Sequence, residues 1–61
     1  LTPERVRNLR LHLHLTQGEM ARYLEVDIST VRRWEYGIRR PGGGNRRRLL
    51  TLARKHLGGA A

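Results

Sequence analysis

Apolar residues recur along this chain at spacings of three and four, broken by short polar stretches, and the pattern predicts four helices. In the first, Val6, Leu9 and Leu13 form one stripe, with Arg10 on its border and Leu11 pointing elsewhere. Thr2 is placed to cap this helix and Pro3 fits its first turn. Leu1 and Val6 take the two positions of a hydrophobic staple, and the helix is expected to run to about His14. Thr16 and Glu19 make a T-x-x-E capping box that starts a second helix with Met20, Ala21 and Leu24 on one face. After a tight turn, Asp27 caps a third. There Ile28, Val31 and Trp34 line one side, while Ser29, Arg32, Arg33 and Tyr36 fall at i, i+3, i+4 and i+7 on the other. It ends near Tyr36, with Gly37 in the position of a left-handed C-terminal cap. The segment Arg39-Arg40-Pro41-Gly42-Gly43-Gly44 cannot continue a helix. Asn45 is placed to cap a fourth, from about Arg46 to His56, packing through Leu49, Leu52, Ala53 and Leu57 and stopped by Gly58-Gly59. Arg54, Lys55 and His56 suit its C-terminal dipole end. No strand pattern and no internal repeat is visible. The expected architecture is all-α, one domain over residues 1–57 with a flexible tail over 58–61.

Size and charge restrict what such a bundle can do. A chain of 61 residues is near the lower limit for independent folding, where about 60% of the unfolded surface is buried, and a deep active-site cleft is not expected. Thirteen Lys+Arg oppose five Asp+Glu, for a formal charge of +8, and Lys55 is the only lysine among the thirteen. A basic surface kept for solubility would use more lysine and mix the signs, so the arginine excess predicts a polyanionic partner. Cysteine is absent, which excludes a disulfide framework or a Cys-ligated zinc site and leaves helix packing to supply stability. No apolar run approaches the roughly 18 residues of a membrane span, and no signal peptide is visible, so a cytoplasmic location and no membrane partner are expected. A start at Leu1 rather than Met is expected of an excised domain or a trimmed chain.

Enzyme chemistry finds little to work with. His12 and His14 are two apart on a helix, so they face opposite sides and cannot share a metal; with His56, no cysteine and few carboxylates, no catalytic residue, metal or cofactor is expected, and no small-molecule substrate. Only three aromatics exist, and Trp34 is committed to the core, leaving no stacking platform for single-stranded RNA. A stronger clue lies at the start of the fourth helix. Arg46, Arg47 and Arg48 occupy its first turn, where the helix dipole favours acidic residues. A chain tolerates that conflict most readily where an anion binds, and a helix N-terminus with arginines is a good phosphate site. Gly42, Gly43 and Gly44 either let the backbone approach a phosphate oxygen or serve as a flexible spacer.

The residues Leu9-Arg10, Leu15-Thr16-Gln17, Glu19, Ala21, Leu24, Val26, Thr30-Val31, Trp34-Glu35, Gly37 and Pro41 stand in order and at the spacing characteristic of lambda-repressor-like domains. Over nearly two-thirds of its length the chain thus resembles the Xre family of helix-turn-helix DNA-binding domains. Its short basic loop and single closing helix are most similar to phage-type regulators and to the C-terminal domains of some antitoxins. The resemblance implies a compact four-helix fold with the motif formed by helices two and three. Ala21 would be small because those helices cross closely there. Glu25 departs from the family, which usually has Gly where the turn takes a positive φ, a departure costing about 1 kcal/mol. Asp27 replaces the usual Ser or Thr, bringing a negative charge near the DNA. Arg10 and Glu35 would be the family's partly buried ion pair joining helix one to helix three.

The same resemblance implies that helix three, about residues 28–36, enters the major groove. Ile28, Ser29, Arg32 and Arg33 would face base edges, with Gln17 reaching a phosphate or a base edge. Arg33 is foremost, since a guanidinium spans guanine O6 and N7. Arg32 would do the same or grip the backbone, and Ile28 would touch a thymine methyl or pack in the core. Phosphate holding falls to Arg39, Arg40, Gly43, Gly44, Arg46, Arg47 and Arg48, and to Tyr36 unless it flanks the core. One copy would read about four or five base pairs, so a homodimer, tandem copies or a larger parent protein is expected. Double-stranded DNA is the expected partner and transcriptional repression, in a bacterial or phage nucleoid, the expected use. Alternatives are a protein-interaction module, such as an antitoxin domain holding a toxin, and RNA binding.

Overall fold

The computed structural model describes residues 1–58. Helices α1 (Pro3–His12), α2 (Gln17–Leu24), α3 (Ile28–Glu35) and α4 (Gly43–Ala53) follow in chain order, and α4 runs on into a wider π-type turn, Arg54–Gly58. Of the expected tail over 58–61, residues 59–61 lie outside the described residues. Val6, Leu9, Met20, Ala21, Leu24, Val31, Trp34 and Leu49 form one core to which every helix contributes, with Leu1, Leu13, Leu15, Val26, Leu52 and Ala53 packed around it. Burial of these stripes drives the fold, as it must in a chain of this size without cross-links.

Local chemistry explains the helix starts. Thr2 accepts from the Arg5 N–H (3.2 Å) with Pro3 in the first turn. At α2 the box is reciprocal: the Glu19 N–H donates to Thr16 Oγ1 (3.0 Å) and the Thr16 N–H to Glu19 Oε1 (2.8 Å). The Thr16 N–H, and after it the Thr16 hydroxyl, hold the Glu19 carboxyl below its usual range. Asp27 occupies the N-cap position of α3 in extended conformation, but its carboxylate makes no capping hydrogen bond.

The helix ends share one device. In each of α1, α2 and α3 a residue with positive φ is followed by a chain reversal in which two amides donate to carbonyls of the last turn. For α1 it is His14 (φ 58°), with the His14 N–H on Leu11 O and the Leu15 N–H on Arg10 O. For α2 it is Glu25 (φ 59°), with bonds to Arg22 O and Ala21 O, and for α3 Gly37 (φ 78°), with bonds to Trp34 O and Arg33 O. The expected end of α1 near His14 is therefore corrected to His12, because His14 has already left the right-handed region.

Two further expectations are corrected in α4. It begins at Gly43 with Gly42 as its cap, not at Arg46 with Asn45 as cap. The Asn45 and Arg46 N–H groups both donate to Gly42 O (3.2 and 3.4 Å), so the glycine run is wound into the helix rather than preceding it. Leu57, expected in the packing stripe, is 43% exposed; the π-type turn changes the angular spacing beyond Ala53, and the 3.6-residue period no longer carries Leu57 to the core.

Candidate nucleic-acid interface

Helix α3 divides its residues cleanly. Val31, Trp34 and Glu35 are buried, while Ser29, Arg32, Arg33 and Tyr36 are all exposed. Tyr36 is 61% exposed and so does not flank the core. Ile28, at the first position of α3, is 38% exposed and half withdrawn toward α2, where its Cδ1 lies 3.7 Å from the place a side chain on Gly18 would occupy.

Beneath this face runs a charged network. Arg10 donates from Nε to Glu35 Oε2 (2.6 Å), from Nη2 to Glu35 Oε1 (3.0 Å) and from Nη1 to the Leu15 carbonyl (3.0 Å). One guanidinium thereby ties α1 to α3 and to the loop ahead of α2. The Gln17 amide donates to Glu35 Oε1 (3.3 Å), and its carbonyl accepts from Arg32 Nε (3.3 Å). Burial pushes the Glu35 carboxyl up, but the hydrogen bonds from Arg10 and Gln17 and the charges of Arg10 and Arg7 outweigh it and hold the group below the usual carboxylate range. The bond to Glu35 likewise raises Arg10, against the opposing effect of burial.

Arg7 belongs to this network, and sequence reasoning missed it. Its Nη2 donates to the Glu35 backbone carbonyl (3.4 Å) and its Nε lies 3.8 Å from Glu35 Oε1. The signal was present: Arg7 and Arg10 are three apart in α1 and lie on neighbouring turns of one face.

Beyond α3 the chain reverses at Gly37, with the Ile38 and Arg39 N–H groups both on Arg33 O (2.9 and 3.2 Å). Pro41 is then buried while Arg39 and Arg40 stay exposed. A side chain built on Gly42, Gly43 or Gly44 would meet nothing within 4 Å, so no close packing within the chain requires three glycines there. Gly43 has φ +53° at the first position of α4, and the amides of Gly43 and Gly44 precede the helical ladder. Arg46 and Arg47 flank them and are exposed.

Arg48, expected to hold a phosphate, has hydrogen-bond partners within the chain. Its Nη1 donates to the Leu24 carbonyl (2.9 Å) and its Nη2 to Tyr23 O (3.5 Å), so the guanidinium covers the C-terminal carbonyls of α2. A cation at the negative end of a helix is well placed, and this contact docks α4 on the helix-turn-helix while Arg48 stays exposed.

Gln17, Arg32, Glu35 and Arg10 therefore meet in one chain of hydrogen bonds. Ser29, Arg33 and Tyr36 share the outer face of α3. Arg39, Arg40, Gly43, Gly44, Arg46 and Arg47 lie along the following segment and the start of α4. Comparison with curated proteins and with solved structures yields no match. A protein-family model does match: HTH_3, described as helix-turn-helix, over residues 6–57. That span takes in α2, α3, α4 and most of α1, with the charged network and the exposed face of α3, and the chain accordingly belongs to the HTH_3 family of Xre or lambda-repressor-like helix-turn-helix domains, which bind DNA.

Proposed function

We propose that this domain is a transcriptional repressor that lays α3 in the major groove of double-stranded DNA, with Ser29, Arg32 and Arg33 facing base edges and Ile28 near a thymine methyl. Tyr36, Arg39, Arg40, Arg46 and Arg47, with the backbone of Gly43 and Gly44, hold the flanking phosphates. The observation that carries this reading is the division of α3, whose buried side is apolar apart from a paired Glu35 and whose outer side offers two arginines, a serine and a tyrosine. Two-fold pairing of copies on half-sites about one helical turn apart would supply the specificity that one α3 lacks. The cytoplasm and nucleoid of a bacterium or phage host is the setting such a regulator requires.

Selection from a random duplex library at physiological salt, followed by titration of the enriched sequence across salt concentrations, tests this. With about five phosphates neutralised, log K falls against log salt with a slope of roughly −4 to −5. The enriched sequences are expected to be palindromic. Failure to enrich any sequence, or a slope near zero, would defeat the proposal and favour a protein-interaction role.

A further inference from the structure

We infer that Gln17 acts as the positioning residue for Arg32, turning its guanidinium so that only the two terminal nitrogens are offered to a base. The inference deepens the proposed groove-reading role and rests on it. It starts from the Glu35 carboxylate, which is 2% exposed and already bonded twice to Arg10. A carboxylate only accepts, so Gln17 must turn its amide nitrogen inward to meet Glu35 Oε1, as it does at 3.3 Å. The planar amide then directs its carbonyl oxygen the other way, toward Arg32, which donates to it from Nε at 3.3 Å. The orientation of an exposed arginine on α3 is thus set by a buried acid through one intervening amide.

The consequence is a difference between two adjacent arginines that look equivalent in the sequence. Arg32 is held at Nε and keeps Nη1 and Nη2 free, which suits end-on donation to guanine O6 and N7. Arg33 has no hydrogen-bond partner for its guanidinium among the described residues, and its side chain must be ordered when DNA arrives. Holding a reader in advance reduces the ordering cost of binding, and docking on DNA excludes water from the Gln17–Arg32 bond and strengthens it. Arg32 thereby becomes the specificity-determining arginine, and Arg33 is the adaptable one.

Two measurements test this separately from the groove-reading role itself. In the free protein, 15N relaxation of the arginine Nε–H groups should show Arg32 more ordered than Arg33, and Gln17→Met, which keeps length but has no amide, should bring Arg32 down to the level of Arg33. On DNA, library selection with wild type, Gln17→Met, Arg32→Lys and the double variant should show Gln17→Met and Arg32→Lys losing guanine preference at the same base pair. The loss from Arg32→Lys is expected within the roughly 5- to 150-fold span of a bidentate arginine–guanine contact. The double variant should be no worse than Arg32→Lys alone. Equal order for the two arginines in the wild type would overturn the inference. So would a Gln17→Met variant that keeps the guanine preference or weakens all sequences alike, the mark of a lost phosphate contact. If the wild type enriches nothing, the groove-reading role fails and the inference falls with it, whereas enrichment that ignores Gln17 sinks the inference alone. The wild-type comparison of Arg32 with Arg33 needs neither DNA nor a variant, so it can overturn the inference even where Gln17→Met folds poorly.

Discussion

Replacing Glu35 with alanine tests the central interaction of this fold. The substitution removes the acceptor of two hydrogen bonds from Arg10 and one from Gln17, together with the attraction felt by Arg7. The Arg10 side chain is only 13% exposed, so it is left as a nearly buried cation with its bond to the Leu15 carbonyl as the remaining contact. Breaking such a pair by removing one partner costs about 3 to 5 kcal/mol. A domain of 61 residues has roughly 3 to 9 kcal/mol in total, at about 0.05 to 0.15 kcal/mol per residue. Glu35→Ala is therefore expected to leave the protein at the edge of unfolding, with its thermal midpoint, followed by far-UV circular dichroism, lowered by more than about 12 °C. The companion variant Arg10→Met with Glu35→Leu strands no charge, and apolar replacement of both partners is often neutral, so most of the loss should be recovered. A loss below about 1 kcal/mol for Glu35→Ala, or a double variant as unstable as the single one, would refute the reasoning.

Other expectations follow from the helix ends and the arginines. Left-handed backbone costs a non-glycine residue about 1 to 2 kcal/mol, and glycine costs about 0.5 to 1 kcal/mol in unfolded-chain entropy; Glu25→Gly and His14→Gly should each therefore stabilise by about 0.5 to 1 kcal/mol, read as a higher thermal midpoint. Arg48→Ala should lower stability by about 1 kcal/mol through the uncovered α2 carbonyls and leave the salt slope of DNA binding unchanged. Arg47→Ala should do the reverse, weakening all DNA sequences alike and reducing that slope by about 1. Because the folded Glu35 carboxyl sits below its ordinary value near 4.5, its stabilisation is complete above that pH and is lost as pH falls through the lower folded value. The exposed Glu19 adds to the trend in the same direction. Thermal midpoints should be flat between about pH 7 and 5 and fall below about 4.5, with a shallower fall in Glu35→Gln.

The apolar stripes of α1, α2 and α3 and the capping box at α2 were legible in the sequence because each rests on contacts within one or two turns. Gly37 was legible for the same reason: a glycine just past a periodic segment has few other uses. Position 25 could be read from the resemblance, since the turn needs a positive φ whatever residue occupies it. His14 could not, because a histidine carries no local sign that it will be left-handed, and only the docking of α1 against Leu15 and α2 demands it. The start of α4 was missed for a related reason. Asn45 is the better isolated cap, but burial of Leu49 and docking of Arg48 on α2 favour winding Gly43 and Gly44 into the helix, and tertiary contacts override the local preference. Arg48 was indistinguishable from Arg46 and Arg47 in the sequence because its partners, the carbonyls of Leu24 and Tyr23, are more than twenty residues away.

The buried acid has a use that stability alone does not supply. An apolar pair in place of Arg10 and Glu35 would hold α1 against α3 about as well, yet it could not orient anything beyond itself. A carboxylate with fixed lone pairs imposes a donor on Gln17, Gln17 imposes an acceptor on the outer surface, and that acceptor holds Arg32. Directional bonds carry orientation from core to surface in three steps, whereas apolar contacts would carry only distance. A small domain without cross-links benefits most from this arrangement, because α3 is only eight residues long and its packing stripe by itself constrains rotation about the helix axis weakly. The polar network fixes that rotation and, with it, which side chains of α3 are presented and which are withheld.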